Sequence, residues 1–297
     1  KNVRMYIKCP DGYSLEPGKA ARLLMGLYGT KQGGALWSAL RTKTLKRLGC
    51  KQSLADPSLY TRNNGTGRLI ISCTVDDFVI TGTPNEIKQI KNELVKEWEM
   101  TDEGRLFWCL NLRVTRDMKR GLLKVDQAQY AKEIIERFGM ECANPRDTPM
   151  REKPVLSAVT CPDKKGDNSE LFPYASALGA ILYLRLTRPD LMVAISILAK
   201  FMQNPTMDHW RAIKDVLRYV KGSLGRGLLY ASSGLTLQQP WKLRLWVDSD
   251  YATCPDTRRS RAGFLIFLNK NLVSFNSVQQ RGAKRPAVAD GLRESYP

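Results

Sequence analysis

The segment from Leu69 to Gly82 reads Leu-Ile-Ile-Ser-Cys-Thr-Val-Asp-Asp-Phe-Val-Ile-Thr-Gly. Two short apolar runs, rich in β-branched residues, flank the adjacent carboxylates Asp76 and Asp77. Runs of this length and composition predict strands, and the acidic pair falls where a tight hairpin turns. A hairpin tip that presents two carboxylates suits hard divalent cations, which take oxygen ligands. It is also a common way to make a turn, since Asp tolerates turn conformations and hydrogen-bonds its own backbone. On this segment alone both readings stand.

At 297 residues the chain can bury one core and room remains for a second. Its 47 basic and 29 acidic residues leave a net charge of +18, which points to a polyanion, either nucleic acid or an anionic membrane surface. No apolar run approaches the length of a membrane span, and no basic–apolar–small-residue leader opens the chain. The basic residues are spread, with only short clusters such as Arg258-Arg259 and Lys284-Arg285. Nucleic acid, not membrane, is the expected partner; a generally soluble basic protein is the alternative. Seven cysteines are scattered without a Cys-x-x-Cys pair, so neither a disulfide framework nor a zinc site is expected, and a reducing intracellular compartment fits. The single histidine, His209, rules against Ser-His-Asp and Cys-His chemistry and reads as structural. Carboxylates and metal ions remain for chemistry. The chain opens Lys1-Asn2 without methionine, which suggests a processed product or a fragment.

Periodicity predicts a helix from Gly33 to Leu48 that stops at Gly49. Thr83-Pro84-Asn85-Glu86 predicts a capping box and a helix to about Met100. Strands are expected at Phe107–Thr115 and Gly121–Val125, then a helix capped by Asp126 with Gln129. Asn144 to Asn168 reads as a linker region. Three helical patterns follow at Pro173–Leu186, Pro189–Phe201 and Asp208–Lys221. From Lys242 the period becomes two, with Leu243, Leu245 and Val247 on one face. Gly263–Leu268, a turn at Asn269-Lys270-Asn271, and Leu272–Phe275 complete a β-meander. The stretch from Gln279 to Pro297 shows no pattern.

Several blocks, in order and spacing, resemble the reverse transcriptase and ribonuclease H region of copia-type retrotransposon polyproteins. Tyr6-Ile7-Lys8-Cys9-Pro10-Asp11-Gly12-Tyr13 is similar to the segment ending Pro-x-Gly-Phe. Leu27-Tyr28-Gly29-Thr30-Lys31-Gln32, with Trp37 after it, resembles Leu-Tyr-Gly-Leu-Lys-Gln. Ser53, Asp56 and Ser58-Leu59-Tyr60 resemble Ser-x-x-Asp-x-Ser-Leu-Phe, and Val75-Asp76-Asp77 stands where the family has Tyr-Val-Asp-Asp. Thr187-Arg188-Pro189-Asp190, Pro205-Thr206, His209-Trp210 and Val216-Leu217-Arg218-Tyr219-Val220-Lys221-Gly222 follow in family order. Asp248-Ser249-Asp250-Tyr251-Ala252 resembles the Asp-Ala-Asp-Trp-Ala entry to the ribonuclease H domain.

The resemblance implies an α+β fold: a reverse-transcriptase palm over 1–150 with the fingers largely absent, a linker over 151–168, a helical thumb or connection over 169–240, and a partial ribonuclease H-like meander over 241–297. It implies two-metal nucleotidyl transfer with Mg²⁺ or Mn²⁺. Asp76 is then the metal ligand most essential to chemistry and Asp77 its support; adjacent carboxylates repel each other until a cation lies between them. Lys31 and Gln32 lie near the template–nucleotide pair on this view, and on the plainer one simply start a surface helix. Arg188, Arg211, Lys214, Arg218 and Lys221 contact the phosphates of a primer–template duplex or form solvated helix faces. Asp248 is the first ribonuclease H metal ligand, Asp250 its structural neighbour, and Arg258 and Arg259 meet phosphates or lie in a solvated loop. The implied partners are RNA or DNA primer–template, RNA–DNA hybrid, dNTPs and other parts of a parent polyprotein. The implied location is a cytoplasmic retroelement particle or the nucleus, not the secretory route.

The pattern also breaks. A further family Asp upstream of Pro-x-Gly-Phe is not in the chain, and Asp11 does not substitute for it. Ala289-Asp290-Gly291-Leu292-Arg293-Glu294 only loosely matches the next ribonuclease H segment, with Glu294 as a weak candidate ligand. Thr74 replaces a Tyr, Gly33-Gly34 replaces Ala-Pro and loosens a helix start, and Asn111 replaces a Gly. With both metal sites incomplete, the chain alone is expected to show little or no activity; the alternative is a catalytically dead nucleic-acid-binding remnant.

Overall fold

The computed structural model describes residues 5–8, 12–16, 18–27, 29–65, 67–151, 156–157, 172–232 and 240–280, which fall into two units divided between Leu106 and Phe107. No helix among the described residues is long and apolar enough to cross a membrane.

The first unit opens with a ribbon of β1 (Tyr6–Ile7) and β2 (Ala21–Arg22), followed by helix α1 (Lys31–Arg47). Strands β3 (Lys51–Gln52), β4 (Leu59–Asn63), β5 (Arg68–Thr74) and β6 (Asp77–Gly82) make an antiparallel sheet in that order, and α2 (Pro84–Glu97) closes the unit. Strand alternation makes the sheet one-sided. Tyr60, Leu69, Ile71 and Cys73 are buried against Leu45 of α1 and Ile90 and Leu94 of α2, whereas Ile70, between two of them, is 43% exposed. Each fully buried aliphatic side chain here contributes about 1.5–3 kcal/mol.

Two local expectations change in this unit. The Thr83–Glu86 capping box does not form: Thr83 makes no side-chain cap bond, and the Glu86 carboxylate turns instead to Arg62 Nε at 3.0 Å and to Asn64. A buried guanidinium is the stronger claimant on that carboxylate. Gly33 does not loosen the start of α1. Thr30 Oγ1 accepts the Gly33 N–H at 3.0 Å, and a Cβ on Gly33 would lie 2.3 Å from the Leu27 carbonyl oxygen. Only glycine fits that close approach, whereas a Cβ on Gly34 meets nothing within 4 Å. Gly33→Ala is therefore expected to destabilise the unit by about 1–2 kcal/mol through the disrupted cap, and Gly34→Ala to stabilise it by about 0.5–1 kcal/mol. Urea denaturation of the two variants checks the opposite signs.

The second unit holds strands β7 (Trp108–Cys109), β8 (Leu112–Asp117) and β9 (Leu122–Asp126). The stretch from Phe107 to Thr115, expected as one strand, is a hairpin. Leu110 and Asn111 have φ of +50° and +59°, the sign pattern of a tight type I′ turn. Asn tolerates this conformation and Leu does not advertise it, so the turn is invisible in the apolar pattern. Helix α3 (Ala128–Arg137) follows, then α4 (Tyr174–Leu184). A 3₁₀ turn at Pro189–Leu191 leads into α5 (Met192–Leu198), a second at Ala199–Phe201 ends it, and α6 (Met207–Gly222) comes next. Ile134 and Ile135 of α3 pack with Leu178 and Ile181 of α4, Ile195 and Leu198 of α5, and Ile213, Val216 and Leu217 of α6. Strand β10 (Gly227–Ala231), not foreseen in the helical stretch, pairs antiparallel with β9. His209 is structural: Nδ1 accepts the Thr206 N–H at 2.9 Å and its ring stacks on Phe201 at 3.8 Å.

The meander forms as β11 (Leu243–Ser249), β12 (Arg261–Leu268) and β13 (Asn271–Gln279). Leu243, Leu245 and Val247 do share one face of β11, but neither face is covered among the described residues: Leu243 is 69% and Trp246 65% exposed, one on each face of an edge strand. Most of the expected linker, the stretch from Arg281 onward, Glu294, and Cys9 to Asp11 lie outside the described residues.

Two ion-paired acids, Asp126 fully buried and Asp190 with its side chain 28% exposed, make this unit sensitive to acid. Burial pushes the Asp126 carboxyl up, but bonds from Arg113, the Ala128 N–H and Lys124 outweigh it and hold the group low. Asp190 is likewise pushed up by burial and pulled lower by Arg188 and Tyr219. A carboxyl held low stabilises the fold above its unfolded pKa, and that stability is lost as pH falls through the folded value. Tm is expected to hold from pH 7 toward 5 and then to drop below about pH 4. Asp126→Asn should start lower and fall less steeply, as read from thermal melts across that range.

Candidate functional site

The hairpin forms, with its turn one residue earlier than the acidic pair suggests. Thr74 ends β5 and pairs with Asp77, which opens β6, so the loop is Val75-Asp76. Alternation sets Asp77 with Val79 and Thr81 on the open face of the sheet, opposite Phe78 and Ile80. Both carboxylates are exposed, and neither has a hydrogen bond or ion pair among the described residues. Val75 has φ +50°, a strained setting for a β-branched residue, worth about 1–3 kcal/mol. Trp37 Nε1 donates to the Val75 carbonyl at 2.7 Å. Its ring meets Trp98 edge-on at 5.2 Å, and Trp98 lies 5.8 Å from Phe78.

The donor set fits a hard cation. Two neighbouring carboxylates without a cationic partner are oxygen ligands in waiting, and no group of three or more His, Cys, Asp or Glu gathers among the described residues. Mg²⁺ dehydrates reluctantly and is commonly held by one or two carboxylates together with substrate phosphates and water. The pair at the hairpin tip therefore suits a metal that arrives with a phosphate ligand.

Lys31 and Gln32 occupy the exposed first turn of α1, whose first turn holds no acid. The helix dipole and the Lys31 ammonium make this an electropositive start.

The other basic candidates differ sharply in freedom. Arg188 is only 2% exposed. Its Nη2 reaches Asp190 at 2.7 Å and Ser223 Oγ at 2.8 Å, and its Nη1 the Ser223 carbonyl at 3.1 Å. Burial and saturated bonding withdraw it from phosphate contact; it ties the turn before α5 to the end of α6. Arg218 donates to the Asn144 carbonyl at 2.6 Å, and Lys221 to the carbonyls of Ala143, at 2.7 Å, and Glu141. These two fasten α6 to the loop after α3. Arg211 pairs with Asp208 at 2.8 Å and Lys214 lies over the Trp210 ring; both pairs sit near the surface. Arg258 and Arg259 are exposed.

Asp248 lies exposed on β11 opposite Gly263. Asp250 is structural: its Oδ1 accepts the Arg261 N–H at 2.7 Å and its Oδ2 the Thr253 hydroxyl. The sequence places Trp37 in a helical apolar pattern and in a motif, but its bond to a residue 38 positions away leaves no periodic signal.

A family model described as reverse transcriptase (RNA-dependent DNA polymerase) matches residues 2–152. The retrovirus-related Pol polyprotein from transposon TNT 1-94 of Nicotiana tabacum is 30% identical over 285 residues, 93% of this chain and 21% of that protein. The corresponding polyprotein from transposon RE2 of Arabidopsis thaliana is 30% identical over 287 residues, 96% of this chain and 19% of that one. The chain thus spans about a fifth of the length of these curated relatives. An uncharacterized mitochondrial protein of Arabidopsis thaliana is 34% identical over 221 residues, covering 74% of this chain and 87% of that protein. No solved structure matches the chain. On the family match and these relatives together, the chain belongs to the reverse transcriptase (RNA-dependent DNA polymerase) family, in its copia-type retrotransposon branch.

Proposed function

We propose that the chain carries the nucleotide-adding centre of a copia-type reverse transcriptase, with Asp76 as the principal metal-binding carboxylate and Asp77 as its support. The observation that carries this reading is the pair of exposed, unpartnered carboxylates on a hairpin tip that Trp37 ties to α1. Two bound Mg²⁺ or Mn²⁺ ions would supply charge stabilisation for the attacking 3′-oxygen and the leaving pyrophosphate. Asp76 and Asp77 offer their oxygens to that cation charge. Lys31, with the positive end of the α1 dipole, neutralises phosphate oxygens of the incoming dNTP, and Gln32 faces the template–nucleotide pair. The open face of the β3–β6 sheet receives the primer–template.

In the same reading residues 1–150 act as a palm, 169–240 as a thumb or connection, and 241–297 as the opening of a ribonuclease H domain. Asp248 there is a metal ligand acting on an RNA–DNA hybrid, and Arg258 and Arg259 meet its phosphates. Arg211 and Lys214 remain available to a duplex backbone. The chain works as part of a larger polyprotein inside the cell, in a cytoplasmic particle or the nucleus.

One observation favours a second reading, a nucleic-acid-binding remnant: only two carboxylates gather at the hairpin tip among the described residues. Primer extension on an RNA template with Mg²⁺ or Mn²⁺, run beside salt-titrated duplex binding, separates the two. Duplex affinity that falls steeply with salt is expected in either case. Little or no addition by the chain alone, and metal-dependent addition by the polyprotein that contains it, supports the polymerase reading. Absence of addition in both supports the remnant.

A further inference from the structure

We propose that Trp37 is a positioning residue for Asp76, holding the hairpin tip in the conformation that presents its carboxylate. The inference rests on the reading of Asp76 as a metal ligand, but its structural half stands without it. A two-residue hairpin loop with positive φ at its first position normally carries Gly there; here it carries Val75, at φ +50°. A β-branched residue persists in that region only when its surroundings over-determine it. The Trp37 indole N–H supplies the restraint, donating to the Val75 carbonyl at 2.7 Å.

That carbonyl belongs to the peptide plane that carries the Asp76 N–H. Because the plane is rigid, fixing the carbonyl oxygen fixes the direction in which the Asp76 backbone leaves the turn, and with it the start of the side chain. Trp37 is itself held: its ring meets Trp98 edge-on, and Trp98 reaches Phe78, the residue after Asp77. The tip is thus clamped from its carbonyl and from the base of its return strand by one aromatic group. Trp37 also lies six residues after Lys31 on α1, about 9 Å along the helix axis. One indole hydrogen bond therefore sets the register between the electropositive helix start and the acidic tip.

The test uses the whole chain with Trp37→Phe, which keeps a ring and removes the donor, Val75→Gly, which removes the strain, and the double variant. The first readout is ¹⁵N relaxation of the Val75–Asp77 amides, which involves no metal. Trp37→Phe is expected to lower their order parameters from about 0.85 to below about 0.6, while the amides of Leu69 and Ile71 stay rigid. Unchanged tip amides would overturn the proposal. The second readout is Mn²⁺ binding, followed by loss of the free-ion electron paramagnetic resonance signal. Trp37→Phe is expected to raise Kd about tenfold, the lower end for loss of an orienting partner. In the Val75→Gly background the same substitution should change Kd less than about twofold, because the effects of coupled residues do not add. Equal losses in the two backgrounds would mean that Trp37 does not act through the turn. Mn²⁺ binding that Asp76→Asn leaves untouched, with the tip loosened in Trp37→Phe, would remove the metal role of Asp76 and leave the clamp in place.

Discussion

Asp76→Asn is expected to abolish metal-dependent nucleotide addition by the polyprotein, a loss of at least about 100-fold, and to leave duplex affinity within about twofold. The bound on activity follows from what outer partners already do: removing a group that only orients a metal ligand lowers affinity or activity 10–100-fold, and Asp76 is proposed as a ligand itself. The substitution is nearly isosteric, and Asn tolerates turn conformations as Asp does. The loop should therefore keep its shape, since Thr74 and Asp77 still pair below it and Trp37 still holds Val75. Asp77→Asn should act in the same direction but more weakly, because Asp77 sits in the strand and supports rather than leads. Duplex affinity should not fall, because the change removes negative charge from a surface that meets phosphates. Primer extension and filter binding on one preparation read both quantities, and equal addition by variant and parent would move the metal site away from this hairpin.

What the sequence discloses about this fold divides by range. Period-two runs and 3.6-period helices are local, and they announced the β5–β6 hairpin, the two helices of the first unit, the helices around the second core and the β11–β13 meander. Misreadings arose where a tertiary partner overruled a local preference. The Val75-Asp76 loop is shifted by one residue because a clamp from α1 keeps a β-branched residue at positive φ. Glu86 abandoned its capping position for a buried arginine, and Leu110 entered a tight turn that its side chain does not favour. Strand β10 was missed because its partner, β9, lies about a hundred residues earlier in the chain. The candidate site divides in the same way. The acidic pair is visible as letters, but the freedom of each cation is not. Arg188 stands in a motif and is buried, whereas Arg258 and Arg259 stand in a loop and are exposed.

Arg62→Ala is expected to destabilise the first unit by about 3–5 kcal/mol, the range for breaking a buried ion pair by removing one partner. Arg62 lies on β4, two residues beyond Tyr60, so alternation turns both side chains toward the covered face of the sheet. Its side chain is 4% exposed. Nε meets Glu86 at 3.0 Å, and Nη1 meets Glu93 and the Leu48 carbonyl, both at 2.9 Å. Burial pushes the guanidinium's pKa down, but the bonds and charges of Glu93 and Glu86 outweigh it and hold the group above its ordinary value. One side chain thus joins β4, α2 and the end of α1. Glu86 is equally enclosed, since a Cβ on Gly67 would come within 2.5 Å of its Cγ. Without Arg62 the carboxylate cannot swing out to water without disturbing that wall. Arg62→Lys should recover part of the loss but not the two-sided fork that reaches both glutamates. Arg62→Met combined with Glu86→Gln should recover more, because the enclosed Glu86 charge is then gone and only Glu93, whose side chain is 27% exposed, loses its cation. Urea denaturation of the four proteins orders them, and an Arg62→Ala variant as stable as the parent would refute the ion-pair account. The covered face and the hairpin tip should also separate experimentally. Well below its melting temperature, Arg62→Ala should bind Mn²⁺ as the parent does, whereas Trp37→Phe should keep most of its stability and lose affinity. A shared loss of both properties in both variants would mean that the tip has no rigidity beyond that of the sheet beneath it.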